Sequence, residues 1–305
     1  MRTWIAIWAT ALILGAAADP GTRVVLDAHN CYPYDGRWAD RIDRALSTGT
    51  PLAIEQDLAW FRDPRTGLGR SLVSHEKPKG DEPTMRRYFF ERIRPIVERA
   101  LREDRRDDWP IVTLNLDLKT EEPEHLAAIR DLLGEYTTWL TTAPRTANIS
   151  DVQPLHMGPV LVLTGPSDAQ RKGFHDAVPA GQPLLVFGAT RSPVRTNYHR
   201  WMNYPWSAVE PEGQPHAGAW TAEDEARLHK LVADAHRAHL WIRFYTLNGH
   251  DPRDESGGWS AGYNFGSEDA ARIRWRAAIR AGVDYVAVDQ YELFSETLRR
   301  ERSTR

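Results

Sequence analysis

One pattern constrains this chain more than any other. Eight short apolar stretches of strand character recur along it, and most are separated by amphipathic helical stretches. The strand candidates are "RVVLDAHN", "PLAIEQDLAW", "IVTLNLDLKT", "PVLVLTG", "PLLVFGAT", "WMNYPWSAV", "HLWIRFYTLNG" and "YVAVDQYELF". Helical patterning covers Arg37 to Leu46, Thr84 to Arg102, Pro123 to Leu140, Ser167 to Ala177, Ala222 to Ala238 and Ser267 to Ala281. Asp or Ser stands near several helix starts, and Gly49 and Gly282 follow helix ends, as capping chemistry expects. Strand–helix alternation implies a parallel sheet with right-handed crossovers. Eight strands in 305 residues favour a closed α/β barrel, a single-domain (β/α)8 TIM barrel, over an open sheet.

The ends of the chain read differently. "MRTWIAIWATALILGAAADPG" has a basic start, an apolar run and small residues at Ala16, Ala17 and Ala18. That is the pattern of an export signal over residues 1–18, cleaved near Ala18. An uncleaved anchor is the alternative, although the apolar run is short for a membrane span. The expectation is a secreted or periplasmic protein with no stable membrane span after cleavage, a barrel over residues 22–298, and a frayed tail over 299–305. Cys31 is the single cysteine, so no internal disulfide can form. A net charge of −3 gives no basis for broad nucleic-acid binding.

Within this frame "PLAIEQDLAW" raises a difficulty. Side chains two apart on a strand share a face, so Glu55 and Asp57 are near neighbours in a core element. Unpaired, they would cost several kcal/mol by rough estimate. On "RVVLDAHN" one face carries Val25, Asp27 and His29. On "IVTLNLDLKT" Val112, Leu114, Leu116 and Leu118 suit covering helices, while Asn115, Asp117 and Lys119 take the other face. "RSLVSHE" places His75 in or just past a short extended segment. Parallel barrels gather chemistry where strands end. Three successive segments thus bring two histidines, three carboxylates and a lysine to one rim.

Three carboxylates without thiolates suit a hard divalent cation such as Mg²⁺ or Ca²⁺. Pairing of each acid with an arginine is the plainer alternative. Two histidines beside a metal can move a proton onto and off a phosphodiester, each worth ~10²–10⁴-fold. Metal and Lys119 would neutralise charge on the phosphoryl oxygens.

These residues resemble the phospholipase C-like phosphodiesterase superfamily, which includes glycerophosphodiester phosphodiesterases, secreted sphingomyelinase D-type enzymes and phosphatidylinositol-specific phospholipases C. The resemblance lies in the order His29, "EQD" as Glu55 and Asp57, His75 in "VSHE", then "DLK" as Asp117 and Lys119. "GVDYVAVDQYELF" resembles the family's final strand and puts Asp289 near the mouth. "DAHNCYPY" and "IRFYTLNG" look closer still to the "altered inheritance of mitochondria" type members. The likeness covers Val24 to Lys119 well and the rest loosely. It implies Glu55, Asp57 and Asp117 as metal ligands, His29 and His75 as the acid/base pair, and Lys119 as a phosphate contact. The substrate it implies is a small phosphodiester of glycerophosphodiester or lysophospholipid type. Glycerophosphodiesterases usually follow the first His with Arg; Asn30 stands there, and Arg243 on the seventh strand is the candidate to replace the missing cation.

Two other functions fit a barrel. A metal-independent glycoside hydrolase would use Glu55 or Asp117 as acid, with Trp60, Trp201, Trp206 and Trp259 offering sugar platforms. A binding protein on a retired scaffold would need neither histidine. No pattern supports Cys31 as a nucleophile. The loop "NGHDPRDESGGW" is a candidate lid.

Overall fold

The computed structural model describes residues 19–33, 39–251 and 261–304. The expected export signal and Trp259 lie outside the described residues, as do most of the candidate lid and the start of the first expected helix.

The barrel strands are β1 (Val25–Ala28), β2 (Leu52–Arg62), β3 (Val112–Leu118), β4 (Val160–Thr164), β5 (Phe187–Ala189), β6 (His199–Pro205), β7 (Trp241–Tyr245) and β8 (Tyr285–Val288). Each pairs in parallel with the next. β8 pairs in parallel with β1, and the barrel closes. All eight strand candidates overlap a barrel strand, although β2 runs on to Arg62 and β6 begins at His199, ahead of its candidate. A short strand, Gly69–Val73, folds back antiparallel on the long outer end of β2.

The two faces of each strand sort by period 2. Leu26, Ile54, Leu114, Val162, Ile242 and Val286 join the apolar layer between barrel and helices. Val25, Ala53, Leu161, Leu163, Trp201, Trp241 and Tyr285 fill the barrel interior at its base. Higher on the same inward faces stand Asp27 and His29 above Val25, Glu55 and Asp57 above Ala53, and Arg243 and Tyr245 above Trp241. The interior therefore changes from apolar packing to charge within a few residues of each strand.

Around the barrel lie α1 (Arg41–Ser47), α2 (Glu91–Glu103), α3 (Pro123–Gly134), α4 (Asp168–Arg171), α5 (Ala222–Arg237), α6 (Glu268–Ala281) and α7 (Tyr291–Ser303). Ser167 and Ser267 cap α4 and α6 through side-chain acceptors, and Thr221 closes a capping box on α5. Gly282 ends α6 with φ +79°, a left-handed turn that suits glycine.

Four sequence expectations change. The last strand stops at Val288, and "YELF" begins α7 instead of extending it. Tyr291, Phe294, Ser295 and Leu298 recur at helical spacing and are buried, so the apolar run belonged to two elements. The tail expected to fray is helical through Ser303, tied to β1 by Arg302 donating to the Val24 carbonyl at 2.7 Å. The helix expected to reach Leu140 ends at Gly134, and Thr137–Trp139 form a separate tight turn. In "PLLVFGAT", Pro183–Leu184 pairs outside the barrel with Ala143–Pro144, which leaves Phe187–Ala189 as the barrel strand.

Candidate active site

Register explains how the acids meet. β2 and β3 run in parallel with Asp57 opposite Asp117 and Glu55 opposite Asn115. Paired strands lie about 4.8 Å apart, so the two aspartates are lateral neighbours, with Glu55 one pleat below Asp57. Ligand atoms of Glu55, Asp57 and Asp117 all lie within 4.8 Å of one another. The trio expected from sequence is therefore assembled.

Its members have different partners. Arg243, buried in the interior, donates through Nε to Asp27 and through Nη2 to Glu55, and reaches Asn203 Oδ1 at 3.1 Å through Nη1. The plainer alternative of acid paired with arginine thus holds for Glu55. Arg243 also borders the cavity, with its charge shared between two carboxylates. Burial alone would raise the Glu55 carboxyl; His29, Arg243 and Lys119 overcome this and hold it below its usual value.

Asp57 is the opposite case. It is fully buried, and among the described residues neither of its oxygens has an aligned hydrogen-bond donor. Lys119 Nζ stands 3.0 Å from Asp57 Oδ2 and 2.8 Å from Asp117 Oδ2, so an ammonium supplies the local positive charge. Burial, then repulsion from Glu55 and Asp117, pushes the Asp57 carboxyl well above its ordinary range, despite Lys119. A buried carboxylate without aligned donors, beside two others, is a donor set that fits a hard divalent cation.

His29 follows β1 and is nearly buried. Its Nε2 lies 3.7 Å from Glu55 Oε1, and its Nδ1 lies 3.4 Å from Asp289 Oδ1. Burial lowers its pKa, but Glu55 and then Asp289 outweigh that and bring it to about 9. Asn30 adopts φ +50°, a left-handed conformation that asparagine tolerates better than arginine. From there its backbone N–H points to Glu55 Oε1 at 3.3 Å, and its amide donates to Asp289 Oδ1 at 3.1 Å. Tyr291 Oη donates to the His29 carbonyl at 2.7 Å, and Asn248 donates its amide to Asp289. The histidine is thus held from α7 and from the β7 loop.

His75 sits two residues beyond the antiparallel strand, exposed, with Glu76 Oε1 2.9 Å from its Nδ1. Its ring stacks near Tyr32, with centroids 6.0 Å apart. A cavity of about 420 Å³ at the C-terminal ends of the strands is bordered by His29, Asn30, Glu55, His75, Asp117 and Lys119. Both histidines, the lysine and two of the three acids therefore face one space.

The same cavity exposes side chains that sequence reasoning missed. Tyr245 shares the inward face of Arg243 two residues on, and its ring lies 6.3 Å from that of His29. Glu121, two residues past Lys119, is held by Ser167 and by Gln170 at 2.7 Å. Arg191 follows β5 by two residues and brings a further cation to the wall. Their signal was available: each stands at a strand end or just beyond one. Cys31 is buried and its thiol is pushed up by burial, which agrees with no nucleophilic role. Trp201 and Trp206 are core residues, Trp60 packs on His125, and no tryptophan among the described residues borders the cavity. The sugar-platform expectation therefore has no support among them.

No family model matches the chain, and no curated protein matches it. Among solved structures it is similar to a glycerophosphoryl diester phosphodiesterase from Parabacteroides distasonis, at 12% identity and a TM-score of 0.47, over 94% of this chain and 88% of that one. It is also similar to the wild-type HPPK-DHPS of Plasmodium falciparum, at 7% identity and a TM-score of 0.40, over 93% of this chain and 49% of that one. At these values no residue role is carried across.

Proposed function

We propose that this chain is an exported, metal-dependent phosphodiesterase acting on a small phosphodiester of the glycerophosphodiester or lysophospholipid kind. The observation that carries the reading is the acidic trio on adjacent strands, with Asp57 buried and lacking aligned donors, opening into a cavity that both histidines border. Glu55, Asp57 and Asp117 would hold the cation. When bound, a divalent ion such as Mg²⁺ or Ca²⁺ would offset the three negative charges and polarise a phosphoryl oxygen.

The remaining work falls to the chain's own groups. His29 and His75 share the proton traffic: one takes a proton from the attacking water or neighbouring hydroxyl, the other gives one to the leaving oxygen. Asp289 and Asn30 fix the orientation of the His29 ring. Lys119, whose pKa is raised by Asp57 and Asp117 against the cost of its burial, stays cationic and binds a phosphoryl oxygen. Attack by water and internal attack by a substrate hydroxyl use the same groups, and ³¹P spectra of the product separate a monoester from a cyclic diester. Export rests on the amino-terminal sequence. Among the described residues, no helix is long and apolar enough to cross a membrane.

The test is a panel of glycerophosphodiesters and lysophospholipids assayed with Mg²⁺, with Ca²⁺ and with chelator. Turnover that chelator abolishes and added cation restores is expected. Failure of every member to turn over, or turnover indifferent to chelator, overturns the proposal.

A further inference from the structure

At the start of β6, away from the cavity, the chain buries positive charge that no acid neutralises locally. Arg200 is 1% exposed. Its Nε donates to the Asn197 carbonyl at 3.2 Å, and its Nη2 donates to the Gln153 carbonyl at 2.7 Å and to Asn197 Oδ1 at 3.0 Å. All these acceptors are neutral. Its Nη1 is buried and has no hydrogen-bond partner among the described residues.

Burial pulls the Arg200 pKa down to about 9, and repulsion from Arg195, five residues earlier, acts in the same direction. The Arg195 Nε is also buried with no hydrogen-bond partner among the described residues. The single acid acting on Arg195 is the exposed Asp19, and burial outweighs it. These segments are bound together: Asn197 donates its backbone N–H to the Ile149 carbonyl at 2.7 Å and its amide to the Pro144 carbonyl at 2.9 Å. Residues 144–153 thus fold over the arginine segment.

Buried donors are ordinarily hydrogen-bonded, and buried charges are ordinarily paired. Water would satisfy the donors but leave the charge. A small oxyanion satisfies both, because the guanidinium fork matches its oxygens in spacing and plane. We propose that Arg195 and Arg200 form a binding site for a small inorganic oxyanion, phosphate or sulfate, separate from the cavity. Bound there, the ion links the 144–153 loop to the β5–β6 connection.

The experiment titrates the full chain with inorganic phosphate by calorimetry at fixed ionic strength. It uses a Lys119→Met background, which removes the cavity's own phosphate contact. Binding in Lys119→Met is expected, with Kd at least about tenfold weaker once Arg195→Met is added, as loss of one charge-assisted hydrogen bond implies. Arg195→Gln offers a second variant should Arg195→Met fold poorly, and it is expected to weaken binding in the same direction. No binding in Lys119→Met, or equal Kd with and without the Arg195 substitution, overturns the site. Phosphodiesterase activity of Arg195→Met in the otherwise unaltered chain is expected to match the parent, so this outcome is independent of the catalytic proposal.

Discussion

The barrel interior has two charged levels, one above the other, and they treat the same residue types differently. In the lower level Asp27 and Glu55 close on Arg243, all three buried, with Asn203 completing the guanidinium's partners. In the upper level Asp57 and Asp117 face Lys119, whose side chain remains 23% exposed, and Asp57 lacks an aligned donor. The lower level pairs from within the chain and behaves as a brace, although Glu55 also borders the cavity and belongs to the trio proposed to hold the cation. The upper level is left incomplete, since Asp57 has no aligned donor among the described residues.

This contrast can be broken by substitution. The largest effect is expected at His29→Ala, which leaves both levels intact and removes a proton-transfer group. kcat should fall by about 10²–10⁴-fold with an unchanged circular dichroism spectrum; activity within a few-fold of the parent would remove His29 from the mechanism. Arg243→Met strikes the brace and strands two buried carboxylates. Urea unfolding should show a loss of about 3–5 kcal/mol, and a loss under about 1 kcal/mol would mean the lower level is no brace.

Asp57→Asn sharpens the comparison from the other side. It removes a charge that has no aligned donor, so stability should change by no more than about 1 kcal/mol. Calorimetric Mg²⁺ or Ca²⁺ binding should nevertheless be lost. Large destabilisation with metal binding retained would reverse the roles given to the two levels. The smallest effect belongs to Tyr291→Phe, which deletes the hydrogen bond to the His29 carbonyl. About 1 kcal/mol of stability should go, with a modest fall in kcat; no change in either would show that α7 does not help to place His29.

Much of this was legible from local pattern. All eight strand candidates overlap a barrel strand, and alternation put Glu55 with Asp57 and Asn115 with Asp117 on shared faces. The misreadings also share a cause. "YVAVDQYELF" is one apolar run in sequence but a strand and a helix in space, because the buried faces of β8 and α7 both continue through it. Arg243 was visible as an arginine on a strand; its partners Asp27 and Glu55 lie 216 and 188 residues away, beyond any local pattern.

By itself, then, the sequence determined which residues share a face and which stretches alternate as strand and helix, since a strand's period of two and a helix's 3.6 are properties of neighbouring residues. Only the closed barrel decided which carboxylate is braced by Arg243 and which is left to the rim. Ion pairing depends on distances across the barrel, and those are set by register and closure between segments far apart in the chain.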